Sequence, residues 1–297
     1  MRNLLLRITL LFFFSFFASQ QLLSQQQQTT FTEGSGYFEF SGHPALKGQK
    51  MRVFYHIPDG ENVEMPFLFV MHGVLRNANT YRDNWIDLSN KYNFIVLVPE
   101  FTQELFPKSR SYNYGNMFDI EFFPVSKELW TFSLIDPIFD YVVQEIGSNQ
   151  ENYDLFGHSA GSQFAHRYFL FMGQTKANRI IASNAGTYTM LDESIEFPYG
   201  LKDTDISSEE IKRLLQNKLI IHLGEEDTDP NHKYLNVSAQ AMAQGPNRFE
   251  RGKNFFNRAK KTASDLGVHF GWELRTVPKV AHNNGEMAID IAEYLFK

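Results

Sequence analysis

The chain has 297 residues, 43% of them hydrophobic, no cysteine, and a formal net charge of −6. That hydrophobic share builds a full core and excludes a disordered chain, while the absence of cysteine excludes disulfides, thiol nucleophiles and thiolate metal sites together. The acidic balance argues against a nucleic-acid partner, which needs a basic face.

Arg2 and Arg7 precede a largely apolar run over residues 8–18, broken by Thr9 and Ser15. Positive charge ahead of an 11-residue, mostly apolar run, against the roughly 20 that a spanning helix needs, is the pattern of a secretory signal peptide. Residues 1–24 are therefore expected to be removed on export, leaving a secreted or periplasmic protein with no membrane partner; an uncleaved anchor is the alternative. Residues 25–36, with Gln25-Gln26-Gln27-Gln28, read as a disordered polar spacer. One folded domain is expected over 37–297, with no internal repeat and no interdomain linker.

Within that domain, residues 38–40 and 51–56 read as an opening antiparallel pair. Short apolar runs follow at 67–71, 94–98, 153–156, 180–182 and 219–223, with a last strand at 272–277. Such runs, flat in polarity and rich in Val, Ile, Leu and Phe, suit strands buried on both faces. Between them, helical spacing occupies 81–92, 125–146 (Leu129, Phe132, Ile135, Ile138, Val142, ended by Gly147), 163–172, 248–266 and 285–296. The alternation predicts a mostly parallel, doubly wound α/β sheet with helices on both faces. Residues 186–216 are long for a connection and could form a small lid, with Tyr188 and Tyr199 facing the site.

Gly157-His158-Ser159-Ala160-Gly161 fits G-x-S-x-G directly after a predicted strand and before a helix. Glycines there permit a tight turn that lifts the serine hydroxyl clear of the sheet. Backbone N–H groups at the helix start then face any oxyanion that forms. A serine nucleophile needs a base and a group to orient it, and on such sheets acid and histidine follow the serine in that order. Among the downstream histidines, His166 lies about two turns along the serine's own helix and points away. His222 falls inside a core strand and His269 at the start of the last one, whereas His282 lies in the loop past that strand, where a base can reach the sheet's C-terminal edge.

The acid is expected in the loop after residues 219–223. Glu225, Glu226, Asp227 and Asp229 compete there; Asp227 is favoured, with Asp229 or Glu226 as substitutes. Asp227, Asp229 and Asn231 also imitate the start of a calcium loop, but His232 replaces the needed glycine and Ser238 the glutamate, so no metal is expected. Two oxyanion donors are expected, the N–H of Ala160 and that of Val74 in the loop Met71-His72-Gly73-Val74. No G-x-G-x-x-G or P-loop pattern signals a nucleotide cofactor.

The connection over 99–124 leaves the C-terminal end of a strand and carries Phe101, Phe106, Tyr112, Tyr114, Phe118, Phe122 and Phe123, with Lys108 and Arg110. These aromatics either border a pocket for an apolar, aromatic or polymeric acyl group, with Tyr112, Tyr114 and Tyr188 as substrate contacts, or pack the loop onto the domain. Arg248 and Arg251, around a Gly-Pro turn, either bind a substrate carboxylate or fix the turn.

On His72-Gly73, Gly157-His158-Ser159-Ala160-Gly161, the turn at 224–227 and Val280-Ala281-His282, residues 40–297 resemble the α/β-hydrolase superfamily. Within it the chain resembles secreted esterases of the polyhydroxybutyrate-depolymerase and feruloyl-esterase kind. The resemblance implies an α/β-hydrolase catalytic domain and cofactor-free cleavage of small or polymeric carboxylic esters through an acyl-enzyme. A serine peptidase using the same three groups, and a non-catalytic binding protein that kept the fold, are the alternatives.

Overall fold

A computed structural model describes residues 31–297; the signal-peptide expectation and the spacer up to residue 30 lie outside the described residues. Eight strands form the sheet: β1 (Gly34–Phe40), β2 (Met51–Ile57), β3 (Phe67–Met71), β4 (Ile95–Pro99), β5 (Tyr153–His158), β6 (Ala177–Ser183), β7 (Ile220–Gly224) and β8 (Glu273–Val277). Their order is β1-β2-β4-β3-β5-β6-β7-β8. β1 pairs antiparallel with β2, and β2 with β4; every later pairing is parallel. The first strand begins at Gly34 and not at Phe38, because residues 34–36 already pair with residues 55–57 of β2. That shortens the expected spacer at its C-terminal end.

The helices are α1 (Ala78–Asp83), α2 (Ile86–Tyr92), α3 (Ile135–Ile146), α4 (Ala160–Phe171), α5 (Ser208–Gln216), α6 (Ala239–Met242), α7 (Arg248–Asp265) and α8 (Asn284–Phe296). Among the described residues, none is long and apolar enough to cross a membrane.

Every residue of β3, β4, β5 and β7 is buried, as expected of apolar runs covered on both faces. Side chains alternate between those faces. Leu68 and Val70 join one core with Ala78, Tyr81, Trp85, Phe94, Phe156, Met287 and Ile291. Phe67 and Phe69 turn the other way, onto Phe139 of α3 at 5.2 Å and Tyr153 at 4.7 Å.

Two expected elements differ. The helix over 125–146 is helical only from Ile135; residues 127–134 form two 3-10 turns, with Trp130 extended between them. Pro137 explains this. It is tolerated in the first turn of α3 but would break a helix begun at 125. The helix over 81–92 is two, α1 and α2, because the chain breaks at Asn84 and Trp85 to send the indole into the core. The stretch 186–216 is anchored at both ends. Thr187–Met190 is buried by residue, and Ser208–Gln216 is a helix closed by the reciprocal Ser207–Glu210 capping box.

Trp85 lies wholly inside the helix–sheet core, 5.1 Å from Phe156 and 6.2 Å from Phe94 between ring centres. Trp85→Ala is expected to cost about 3–5 kcal/mol of stability in urea unfolding. A loss below about 1 kcal/mol would mean this core closes over the gap without cost.

Candidate active site

β5 ends at His158 and α4 begins at Ala160, so Ser159 alone forms the turn. Its φ of 60° and ψ of −116° lie where residues with a Cβ rarely stay. Close packing on either side enforces this. A Cβ on Gly157 would sit 2.0 Å from the Gly161 carbonyl oxygen, and one on Gly161 would sit 1.9 Å from the Met71 carbonyl oxygen. Only glycines let strand, turn and helix approach so closely. The Ser159 N–H is held by the Ser183 carbonyl at 3.0 Å.

The loop after β7 brings Asp227 to the same edge of the sheet. Of the four carboxylates there, Asp227 is 3% exposed. Glu225 reaches out to Thr276, Glu226 is exposed, and Asp229 closes a local turn with the Asn231 N–H. Gly224 lets this loop pass against the histidine loop, since a Cβ there would meet the Val280 carbonyl oxygen at 2.5 Å. Asn184, just past β6, ties the two loops together. Its Oδ1 accepts the Gly224 N–H at 2.9 Å, and its Nδ2 donates to the Ala281 carbonyl at 3.4 Å.

His282 completes the row. Its Nδ1 lies 2.7 Å from Asp227 Oδ2 and its Nε2 lies 3.0 Å from Ser159 Oγ. A carboxylate accepts only, so Nδ1 carries the proton and Nε2 presents a lone pair to the hydroxyl. An imidazole so placed can take the hydroxyl proton. The structure thus brings together Ser159, Asp227 and His282, drawn from residues far apart in the chain.

The loop carrying Val74 lies beside the serine: a Cβ on Gly73 would stand 3.7 Å from Ser159 Cβ and 2.7 Å from the Tyr81 hydroxyl. His72 locks this loop from beneath. Its Nδ1–H donates to the Gly73 carbonyl at 3.1 Å, and its Nε2 accepts the Phe101 N–H at 3.0 Å. Both nitrogens are used in the neutral form. Burial accordingly pushes the imidazole down to about 3. His158 is also held well below its ordinary value, by burial first and then by His282 and Arg248 nearby. It stays neutral, its ring tilted against that of His282 at 4.6 Å and its Nδ1 on the Tyr81 hydroxyl at 3.1 Å.

Two of the three expected substrate tyrosines are framework. Tyr112 has no exposed surface; its hydroxyl donates to the His72 carbonyl at 2.7 Å and its ring packs on His72 at 4.9 Å. Tyr188 is equally buried, stacked on Phe255 at 4.7 Å. A side chain sealed in this way cannot touch a substrate. Tyr114 is partly exposed, with the Arg167 guanidinium 4.7 Å over its ring. Phe101, Phe106 and Phe118 are buried as well, so most of the aromatic loop packs inward, while Phe122 and Phe123 stay exposed. Tyr199 bonds Ser238 through its hydroxyl at 2.9 Å.

The arginines near the Gly-Pro turn face inward too. Arg251 donates to the Gly245 carbonyl at 2.9 Å and the Gly186 carbonyl at 2.7 Å, and Arg248 Nη1 meets Asp227 Oδ1 at 3.3 Å. Sequence reasoning missed Asn184 and the link from Arg248 to Asp227. The signal for Asn184 was its position directly after a buried strand; nothing local marked the Arg248 partner. Among the described residues, no group of three His, Asp or Glu is placed to hold a metal ion.

No protein-family description matches the chain, and no curated protein does. Solved structures do. Poly(aspartic acid) hydrolase-1 from Sphingomonas sp. KT-1 is 38% identical, with a TM-score of 0.86 over 90% of this chain and 100% of that one. The poly(3-hydroxybutyrate) depolymerase LpqC from Bordetella parapertussis is 28% identical, with a TM-score of 0.83 over 89% of this chain and 91% of that one. An S-formylglutathione hydrolase from Agrobacterium tumefaciens shares the fold, at 15% identity and a TM-score of 0.57 over 91% and 96% of the two chains.

Two outcomes follow from the packing. Gly161→Ala, driven against the Met71 carbonyl, is expected to destabilise by about 3 kcal/mol or more in denaturant unfolding; full parental stability would show that the turn yields. The unfolded chain binds a proton on His72 near its ordinary value, while the folded one refuses it until about 3. Stability is therefore lost as pH falls through that interval. His72→Gln is expected to be less stable at about pH 7 yet to lose less on going to about pH 4. An unchanged acid slope would assign that sensitivity to other groups.

Proposed function

The chain belongs to the α/β-hydrolase superfamily, and from that premise we propose that it is a serine hydrolase cleaving carboxylic esters through an acyl-enzyme. The observation that carries this reading is the unbroken row from Ser159 Oγ through His282 to Asp227, at 3.0 and 2.7 Å. Ser159 Oγ attacks the ester carbonyl carbon while His282 Nε2 takes its proton. Asp227 holds the imidazole in the needed tautomer and stabilises the imidazolium. The tetrahedral oxyanion is stabilised by the N–H groups of Ala160 and Val74, each contributing about 2.7–4 kcal/mol in comparable sites. His282 then protonates the departing alcohol, and a water activated by the same imidazole hydrolyses the acyl-enzyme. No cofactor takes part in these steps.

The rim and the neighbours support a substrate class. Val74 and Leu75, beside the serine, are 42% and 65% exposed, and Tyr234 stands exposed next to His232. An apolar rim suits a hydrophobic acyl chain or a polymer segment. The likeness to a poly(3-hydroxybutyrate) depolymerase supports a polyester. A second reading, amide cleavage, has its own support: the 38% identical neighbour is named for poly(aspartic acid), a polymer joined by amide bonds. The basic, apolar start of the chain supports export to the periplasm or the medium.

Hydrolysis of p-nitrophenyl esters from acetyl to octanoyl is expected in the parent, with the chain-length optimum sizing the acyl site. Ser159→Ala is expected to lose at least about a thousandfold in kcat. Turnover retained by that variant, or absent from a folded parent on every ester, overturns the ester reading. Release of aspartate oligomers from poly(aspartate) with esters untouched would select the amide reading instead.

A further inference from the structure

The groups around Asp227 do more than shelter it. Its Oδ2 faces His282, and its other oxygen, Oδ1, faces Arg248 Nη1 at 3.3 Å, with both side chains almost fully buried. The second arm of the same guanidinium, Nη2, lies 3.1 Å from His232 Nδ1. A guanidinium only donates, so Nδ1 of His232 must be an acceptor, and it also receives the Tyr234 N–H at 3.3 Å. Two donors converge on that nitrogen and leave no room for a proton. The Arg248 Nε finds no partner among the described residues, so the two Nη contacts are what fix the group.

We infer that Arg248 is a positioning residue for the triad proposed above, holding Asp227 with one arm and held by His232 through the other. This rests on the Ser159–His282–Asp227 reading and extends it to an outer tier of two residues. The geometry gives each a distinct task. A carboxylate with one oxygen fixed cannot rotate away from His282. Arg248 in turn is kept from swinging toward solvent by a neutral imidazole on its outer side. His232 itself is only partly buried, so its contact is the outermost restraint on a buried row.

Charge follows from the same contacts. The groups facing His282 are Asp227, the His158 ring at 4.6 Å and the His232 ring at 5.4 Å, with Arg248 beyond Asp227. Asp229 adds negative charge near Arg248 and His232. His158 is sealed and neutral, so Arg248 is the one fixed cation among these groups. It offsets part of the carboxylate charge that stabilises imidazolium. Removing it leaves that charge undiluted, so a proton on His282 becomes easier to hold and the acid limb of activity moves to higher pH.

The test compares the parent with Arg248→Gln, His232→Leu and His232→Gln on p-nitrophenyl butyrate across pH. Unfolding midpoints are recorded for each, and Ser159→Ala gives the background. His232→Leu, which removes the acceptor from a partly exposed site, is expected to lower kcat about tenfold with KM changed less than about twofold. His232→Gln, whose side-chain carbonyl can accept from Nη2, is expected to recover most of that rate. Arg248→Gln is expected to show the larger loss and an acid limb shifted upward by about a unit. Should it fail to fold, the His232 pair decides alone.

A second readout needs no turnover. The proton between Asp227 and His282 gives a low-field NMR signal, expected to shift or broaden in His232→Leu and to return in His232→Gln. Folded variants with parental kcat, acid limb and low-field signal overturn the inference, as does a loss confined to KM. A parent inactive on every ester but with that signal perturbed in His232→Leu would overturn the ester chemistry and leave the positioning role supported.

Discussion

The geometry of the whole site depends on one steric constraint, the contact of Gly157 with Gly161 and of Gly161 with the end of β3. These approaches, about half a normal van der Waals separation if a Cβ were present, bring α4 directly onto the C-terminal ends of β3 and β5. Only then does the turn become so tight that Ser159 takes a positive φ and its side chain stands out from the sheet. The cost of that backbone conformation, of order 1–3 kcal/mol, is offset by the buried strands around it. The loop with Val74 lies against the serine for the same reason, because it leaves β3 where α4 touches it.

A second rule organises the loops that surround this turn. Arg76, Arg167 and Arg251 are buried, yet the partners of their guanidinium groups are chiefly main-chain carbonyls and not carboxylates. Arg76 binds the carbonyls of Phe101, Phe106 and Lys108. Arg167 binds those of Asn113, Gln163 and Pro198, and Arg251 those of Gly245 and Gly186. Each planar fork therefore fastens at least one irregular segment that has no sheet partner of its own. Buried loop carbonyls need donors, and one arginine supplies several in a fixed arrangement that a lysine could not reproduce. With no cysteine to form a disulfide, the protein fastens these loops with arginine forks.

Much of this was legible in the sequence. The strands were readable because runs such as Phe67–Met71 and Ile220–Gly224 are apolar on both faces, which leaves few other placements. The serine turn was readable because glycines bracket it at the one spacing that the turn tolerates, and His282 because it follows the last strand. Asp227 could be favoured over its neighbours only by position; burial, which the sequence does not print, is what separates it from Glu225, Glu226 and Asp229. Tyr112 and Tyr188 misled because an aromatic in a loop near the strand ends reads the same whether it lines a cleft or supports one. Arg248 was visible as a charge near a turn, but its partner lies 21 residues away in sequence on a different segment. Contacts of that kind have no local signature.

The three groups of the row do not sit on equally firm ground. β5, which presents Ser159, lies inside the sheet with every residue buried, whereas β8, which leads to His282, is one of the two edge strands and is mostly half-exposed. Edge strands open first, by local fluctuations that leave the central core intact. On warming, local opening of β8 therefore carries the His282 imidazole away from Ser159 while β5 stays in place, so the row separates before the sheet does. Such an opening reverses by redocking one strand on a sheet that stays assembled.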